Sequence, residues 1–339
     1  MISLLYYASC DCKLRTVPFC CIDSNFPKVY DSIATEFSST RHSAWPAVLD
    51  FLREQPVGAF GADVGCGNGK YLVAAAQLTV RQSEVIANES SPASSSRKQG
   101  LAVPCQSERG VHPFCLPLAP MLALDRSTRL TDIVRGRGFD VVVGDILRLP
   151  YRPNRLDFFL CVAVIHHLST MERRLQAIAE LARLLRPHGR GLIQVWAKEQ
   201  HDPQSNQPTR YLRNQRSSGE RSDVCTNSDL IFQEPVRNAL LPVHISGTEF
   251  PATDMLVPWK QKQRKSKNPS SISGQLVGKH RPDEESCLSE APGRYYHLFV
   301  QGELEALVRR IPSLRTERSF YEQGNWAVIV VKLDEYTDV

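Results

Sequence analysis

The 339-residue chain has no run of about 18 consecutive apolar residues, so no membrane-spanning helix is expected. The segment Met1–Ala8 is apolar but has no basic stretch before it, and a secretory leader is not expected either. Net charge is only +5, too mild to demand a nucleic-acid partner from composition alone. C-x-x-C spacing is missing among the ten cysteines, including the cluster Cys10, Cys12, Cys20 and Cys21, so no metal site is expected. Two of the cysteines, Cys66 and Cys161, fall inside expected core elements, a pattern that suits a reducing compartment. Two nucleotide signatures are also missing. Lys70 stands where G-x-G-x-x-G needs its third glycine, and Val64 and Tyr71 break the phosphate-loop pattern G-x-x-x-x-G-K-[ST].

What is present is Phe60-Gly-Ala-Asp-Val-Gly-Cys-Gly-Asn-Gly-Lys70. It reads as a short strand, a tight turn with Gly65, Gly67 and Gly69 at alternate positions, and a helix start. Glycine there permits positive φ and close approach of a ligand to the backbone, and the amides of the helix start face whatever lies over the turn. The Asp63-x-Gly-x-Gly-x-Gly pattern resembles the first motif of class I S-adenosylmethionine-dependent methyltransferases. That resemblance implies Asp63 near the methionine end of the cofactor. A glycine-rich turn without a ligand is the alternative reading.

The remaining chain alternates strands and helices. Val29, Ile33 and Phe37 mark one helical face, and Pro46 opens a second helix that Gln55-Pro56 stops. After the first motif, the second strand of a βαβ unit should end about 20 residues on with an acidic residue. The best candidate, Pro120–Asp125, comes much later, behind a Ser-, Gln- and Pro-rich stretch over 77–117. A helix over Thr128–Arg135, a strand over Asp140–Val143 and a strongly apolar strand over Leu156–Val164 follow. Thr170–Leu185 is amphipathic, and Arg186-Pro-His-Gly189 is expected to end it before a strand over Gly191–Ala197. Residues 200–293 are polar and include a basic run over 260–267. Order returns at Arg294–Phe299, then a helix over Gln301–Ile311 and a hairpin turning at Gly324-Asn325. The expected fold is α/β, a Rossmann-like sandwich of the class I methyltransferase type. Its seven-stranded sheet is mostly parallel, with a C-terminal antiparallel hairpin. Residues 1–27 are an extension of uncertain order. Residues 28–339 form the domain, with disordered insertions expected at 77–117 and 200–293.

In an open parallel sheet the ligand lies off the carboxyl ends of the strands. Asp63, Asp125, Asp145 and His166 all fall at or just past such ends. Asp125 is placed for ribose hydroxyls, and Asp145 with Ile146 for an adenine. Longer strings carry a narrower resemblance: Ser38-Ser-Thr-Arg41, Asp63-x-Gly-Cys-Gly-Asn-Gly-Lys-Tyr71, Cys161-Val-Ala-Val-Ile-His-His167, Val257-Pro-Trp259 and Arg294-Tyr-Tyr-His-Leu-Phe299. Together they resemble the tRNA wobble-uridine carboxymethyl methyltransferases, a domain also found in an AlkB-like fusion enzyme. The resemblance implies methylation of the carboxylate of 5-carboxymethyluridine at tRNA position 34. It also implies S-adenosylmethionine as cofactor, a small zinc-containing activator subunit as partner, and a place in the cytoplasm and also the nucleus. His166, His167 and Arg41 are the candidates for placing the acceptor carboxylate or a flanking phosphate. The apolar strands 139–143 and 191–197 are candidates for pairing with the activator, and Tyr295, Tyr296 and Phe299 for stacking on a base or for core packing. A small-molecule or protein acceptor, or a binding module without activity, remain the rival readings.

Overall fold

Leu156–Val162 is apolar on both faces, as a strand covered on both sides must be, and it becomes the centre of the sheet. In the computed structural model this strand is β4, and the structure describes residues 22–78, 120–213, 241–259 and 293–334. The N-terminal cysteine cluster, the expected insertion from residue 79 onward and the basic run 260–267 lie outside the described residues.

Helix α1 (Ile22–Thr40) begins before the periodic face seen in the sequence, and α2 (Pro46–Arg53) follows Trp45. Strand β1 (Gly61–Val64) runs through the glycine turn into a helix, α3, described over 70–78. Then come β2 (Met121–Asp125), α4 (Thr128–Gly136), β3 (Val142–Val143), β4, α5 (Met171–Leu184), β5 (Leu185–Trp196) and the short α6 (Arg210–Arg213). The chain ends with β6 (Asp254–Pro258), β7 (Gly293–His297), α7 (Glu303–Arg309), β8 (Leu314–Tyr321) and β9 (Asn325–Lys332). Seven strands form one sheet in the order β3-β2-β1-β4-β5-β9-β8, parallel except where β9 pairs with β5 and β8.

Strand order reverses between β1 and β4. Their carboxyl ends therefore open onto one crevice, where such sheets take their ligands. The glycine turn leaves β1 there, and the Ile165–His167 turn leaves β4 there.

Four expectations need correction. The hairpin turns at Gln323-Gly324, both at positive φ (48° and 83°), one residue earlier than expected. That pair of left-handed residues matches the twist of the flanking strands. Arg186–Gly189 belongs to β5, because Leu185 already pairs with Leu156 of β4. Strand 191–197 has neighbours on both sides, β4 and β9, so it has no free edge to offer a partner. Parts of the stretch 200–293 are regular: β6 pairs with β7 in a separate hairpin. His297 of β7 stands between Asp254 of β6 at 3.0 Å and Glu303 of α7 at 2.6 Å, which fixes that hairpin to the C-terminal layer.

The sheet interior is closed by rings lying over glycines. Phe158 and Phe159, both fully buried, lie over Gly61 and Gly191 of the neighbouring strands. A methyl at either glycine falls 2.2 Å or 2.1 Å from a ring carbon. Gly61→Ala and Gly191→Ala are each expected to cost about 1–3 kcal/mol in urea unfolding. Gly136→Ala, with nothing within 4 Å of the added carbon, should be neutral or slightly stabilising.

Candidate active site

The glycine turn hangs on the end of β2. The amides of Gly65 and Cys66 donate to the Leu124 carbonyl at 2.7 and 3.0 Å, and the Gly67 amide donates to Asp125 Oδ2 at 2.8 Å. Asp125 Oδ1 accepts from the Ser127 amide at 2.9 Å, so one carboxylate joins the turn to the start of α4. Gly65, Gly67 and Gly69 all have positive φ. At Gly65 there is a second reason for glycine: a Cβ would sit 2.2 Å from Val164, just after β4. Buried Asn68 donates to the carbonyls of Ser38 and Arg41, which draws the end of α1 over the turn.

The charges here are unusual. Asp63 is 1% exposed, and its Oδ2 has no hydrogen-bond partner among the described residues. Burial pushes its carboxyl up to about 7, with the attraction of Lys70 and the repulsion of Asp125 as smaller, opposed effects. Burial, aided by Arg41, lowers the Lys70 ammonium to about 8. Asp125 is also raised, because burial outweighs its amide bonds. An orphaned carboxylate oxygen beside a turn whose glycines carry no Cβ suits a ligand with an ammonium group. Asp145 spends Oδ1 on the Leu147 amide at 3.0 Å and faces Arg126 at 3.6 Å with Oδ2, and Ile146 next to it is buried. The Arg41 guanidinium lies over the rings of Phe37 (5.6 Å) and Trp259 (5.8 Å).

After β4, Ala163 takes a positive φ of 62°, a strained conformation for a residue with a Cβ, and the chain tightens into Ile165-His-His167. The two rings touch, with centroids 4.3 Å apart, but their roles differ. His167 Nδ1 donates to the Tyr295 carbonyl at 2.8 Å, which leaves Nε2 to accept from the Tyr30 hydroxyl at 3.0 Å. Both nitrogens are therefore used within the protein, and burial lowers its pKa to about 3. His167 is in this structure a neutral strut between α1 and β7. His166 is fully buried, and its Nδ1 accepts from the Trp196 amide at 3.3 Å. Its Nε2 therefore carries the hydrogen and has no partner among the described residues. Burial, followed by the charges of His167, Arg294 and His297, holds this ring neutral as well.

The far wall of the crevice comes from the β6–β7 hairpin. Tyr296 stacks on His166 at 4.8 Å, and Trp259 follows β6 and is fixed by Glu36 of α1 through its indole nitrogen at 2.9 Å. Tyr295, Tyr296 and Phe299 are all at least 97% buried, so they pack the interior instead of presenting a face for base stacking. Arg294, not singled out as a site residue from the sequence, lies among them at 6% exposure. The available signal was a lone arginine opening an otherwise aromatic string.

A family model described as "Methyltransferase domain" matches residues 105–193. The protein of Xenopus tropicalis named tRNA (carboxymethyluridine(34)-5-O)-methyltransferase alkbh8 is 38% identical over 308 residues, covering 90% of this chain and 40% of that protein. Proteins of Schizosaccharomyces pombe and Saccharomyces cerevisiae named tRNA (carboxymethyluridine(34)-5-O)-methyltransferase are 32% and 30% identical. Those matches cover 90% of this chain and 95% and 94% of the yeast proteins. The chain thus spans less than half the length of the frog protein.

Because the Asp63 pKa is raised from its ordinary 3.8 to about 7, the folded state holds that proton more tightly than the unfolded chain. Its effect on stability is therefore a loss as pH rises from about 4 to 7, level above that. Asp63→Asn removes the loss. Urea unfolding at pH 5 and pH 8 should show the variant gaining on the wild type at the higher pH, by up to about 2.5 kcal/mol. Equal pH slopes in the two proteins contradict the assignment.

Proposed function

Because this chain belongs to the family of tRNA (carboxymethyluridine(34)-5-O)-methyltransferases, we propose that it methylates the carboxylate of 5-carboxymethyluridine at position 34 of tRNA. The observation that carries the reading is the Asp63 oxygen, buried without a partner beside the glycine turn. S-adenosylmethionine, when bound, supplies a methyl on a sulfonium: the acceptor oxygen forms the new O–C bond, and the sulfur keeps the electrons of the broken one. Asp63 would suit its ammonium, and Arg41, held over Phe37 and Trp259, stays a candidate for the acceptor carboxylate or a flanking phosphate. The residual lone pairs of Asp125 suit ribose hydroxyls, and Asp145 with the backbone at Ile146 suits the adenine.

An acceptor carboxylate, with a pKa near 4, is already ionised at neutral pH. No residue needs to remove a proton. Two histidines held neutral by burial fit that requirement, since neither is a useful base. His166 instead offers a fixed Nε2–H donor, and its task is orientation of the acceptor oxygen.

The zinc-containing activator subunit belongs to this proposal too. Among the described strands, β3 lies at an edge of the sheet and exposes Val142 and Val143 at 43% each. It is suited to pairing with a strand of a partner. Cytoplasmic and nuclear residence is proposed on the same family grounds.

Nucleoside mass spectrometry tests the activity. With methyl-labelled S-adenosylmethionine and tRNA bearing 5-carboxymethyluridine, the label should appear in the wobble methyl ester, and the free acid should fall. Label in protein or small carboxylates, with the tRNA acid unchanged, overturns the reading. For the partner, Val143→Lys should sharply lower co-purification with a co-expressed activator. A chain that is monodisperse and fully active alone contradicts the pairing.

A further inference from the structure

Arg294 presents a buried positive charge with no counter-ion among the described residues. It is 6% exposed, and among the described residues no carboxylate pairs with it. Its Nη1 donates to the Tyr296 hydroxyl at 2.8 Å, it also meets the Tyr30 hydroxyl, and its Nε has no partner among the described residues. A guanidinium has five N–H donors in a planar fork, matched to the two oxygens of a carboxylate. Rings line the remaining space: Trp259 lies 5.0 Å and Tyr296 5.2 Å from its central carbon. An isolated buried cation is strongly unfavourable, so such groups are normally paired.

The second observation is independent. His166 Nε2 is an orphaned buried donor on a ring stacked against the same Tyr296. Two donors without a partner among the described residues thus lie against one ring, Tyr296. Side-chain contacts link this cluster to the glycine turn along two routes. Gly67 meets Phe37, which packs on Trp259 and so reaches Arg294. Gly65 meets Val164, two residues before His166.

We infer that Arg294 is the specificity-determining residue for the acceptor: it binds the carboxylate of the modified base, with His166 Nε2 donating to the same group. This rests on the methyl-ester reading above and deepens it. The charge has a further consequence. The acceptor arrives as an anion and leaves as a neutral ester, so the attraction that admits it vanishes once the ester forms. Arg294 therefore selects the acid over its amide and favours release of the product. Because the attraction is weaker in the transition state than in the ground state, losing it raises KM more than it lowers kcat.

The test uses the full chain and two anticodon stem-loops, one with 5-carboxymethyluridine and one with the isosteric 5-carbamoylmethyluridine. The wild type should bind the acid about ten- to hundredfold more tightly than the amide. Arg294→Gln should bring the two within about threefold while S-adenosylhomocysteine affinity stays within about twofold, which shows an intact fold. If that variant does not fold, Arg294→Lys decides. It keeps the charge but loses the planar fork, and should weaken acid binding at least about threefold with amide binding unchanged. Retention of the full wild-type preference in a folded Gln variant, or unchanged acid binding in the Lys variant, overturns the role of Arg294 alone. A wild type that binds S-adenosylhomocysteine but does not distinguish the stem-loops overturns both this inference and the ester reading.

Discussion

A buried carboxylate with an unpaired oxygen is costly unless something arrives to pair with it, and β1 ends on such a group. Asp63 is fully enclosed, with one oxygen unpartnered among the described residues. The surroundings do not relieve the cost. Lys70 attracts it without forming an ion pair among the described contacts, and Asp125 repels it. The site holds this unfavourable arrangement because the strands around it are locked. Asp63 sits between β2 and β4, in register with Ala123 and Leu160. A group that the fold itself does not need, kept in a conformation that the fold enforces, is what a binding site for a cationic ligand requires.

The crevice above Asp63 is shaped by α1 as much as by the sheet. Within that one helix, Tyr30 hydrogen-bonds His167, Asp31 accepts from Ser127 and the Arg129 amide, and Glu36 holds Trp259. At its end, Asn68 is bound to Ser38 and Arg41. The helix thus ties the start of α4, the glycine turn, the histidine turn and the β6–β7 hairpin to one another. Helix α1 therefore belongs to the site. Through Phe37 and Trp259, contacts run from the glycine turn after Asp63 to Arg294.

Much of this was legible in the sequence, for local reasons. Three alternating glycines after an apolar strand mark a turn that L-residues rarely adopt, and all three do have positive φ. Strong apolar runs located β2, β4 and β9 despite the long polar stretch between β1 and β2. What escaped was set by contacts distant in sequence. His166 and His167 look equivalent side by side, yet only the fold brings Tyr30 and the Tyr295 carbonyl to the second ring. Strand 191–197 read as a candidate edge because its neighbour β9 comes last in the chain. Strand β6 was missed because its five residues lie in a largely polar stretch of sequence and become a strand only when β7 pairs with them. Arg294 gave the weakest signal: an arginine in a strand is usually solvated, and its burial depends on Trp259 and Tyr30 closing over it.

The central claim is that Asp63 waits, largely protonated below neutral pH, for a positive charge. Calorimetry of S-adenosylhomocysteine binding at pH 6.5, in buffers of different ionisation enthalpy, counts the protons exchanged. With the carboxyl at about 7 in the free protein, binding the ammonium should expel more than about half a proton, and Asp63→Asn should expel none. Binding without proton release in the wild type, or release that persists in the variant, would contradict the account.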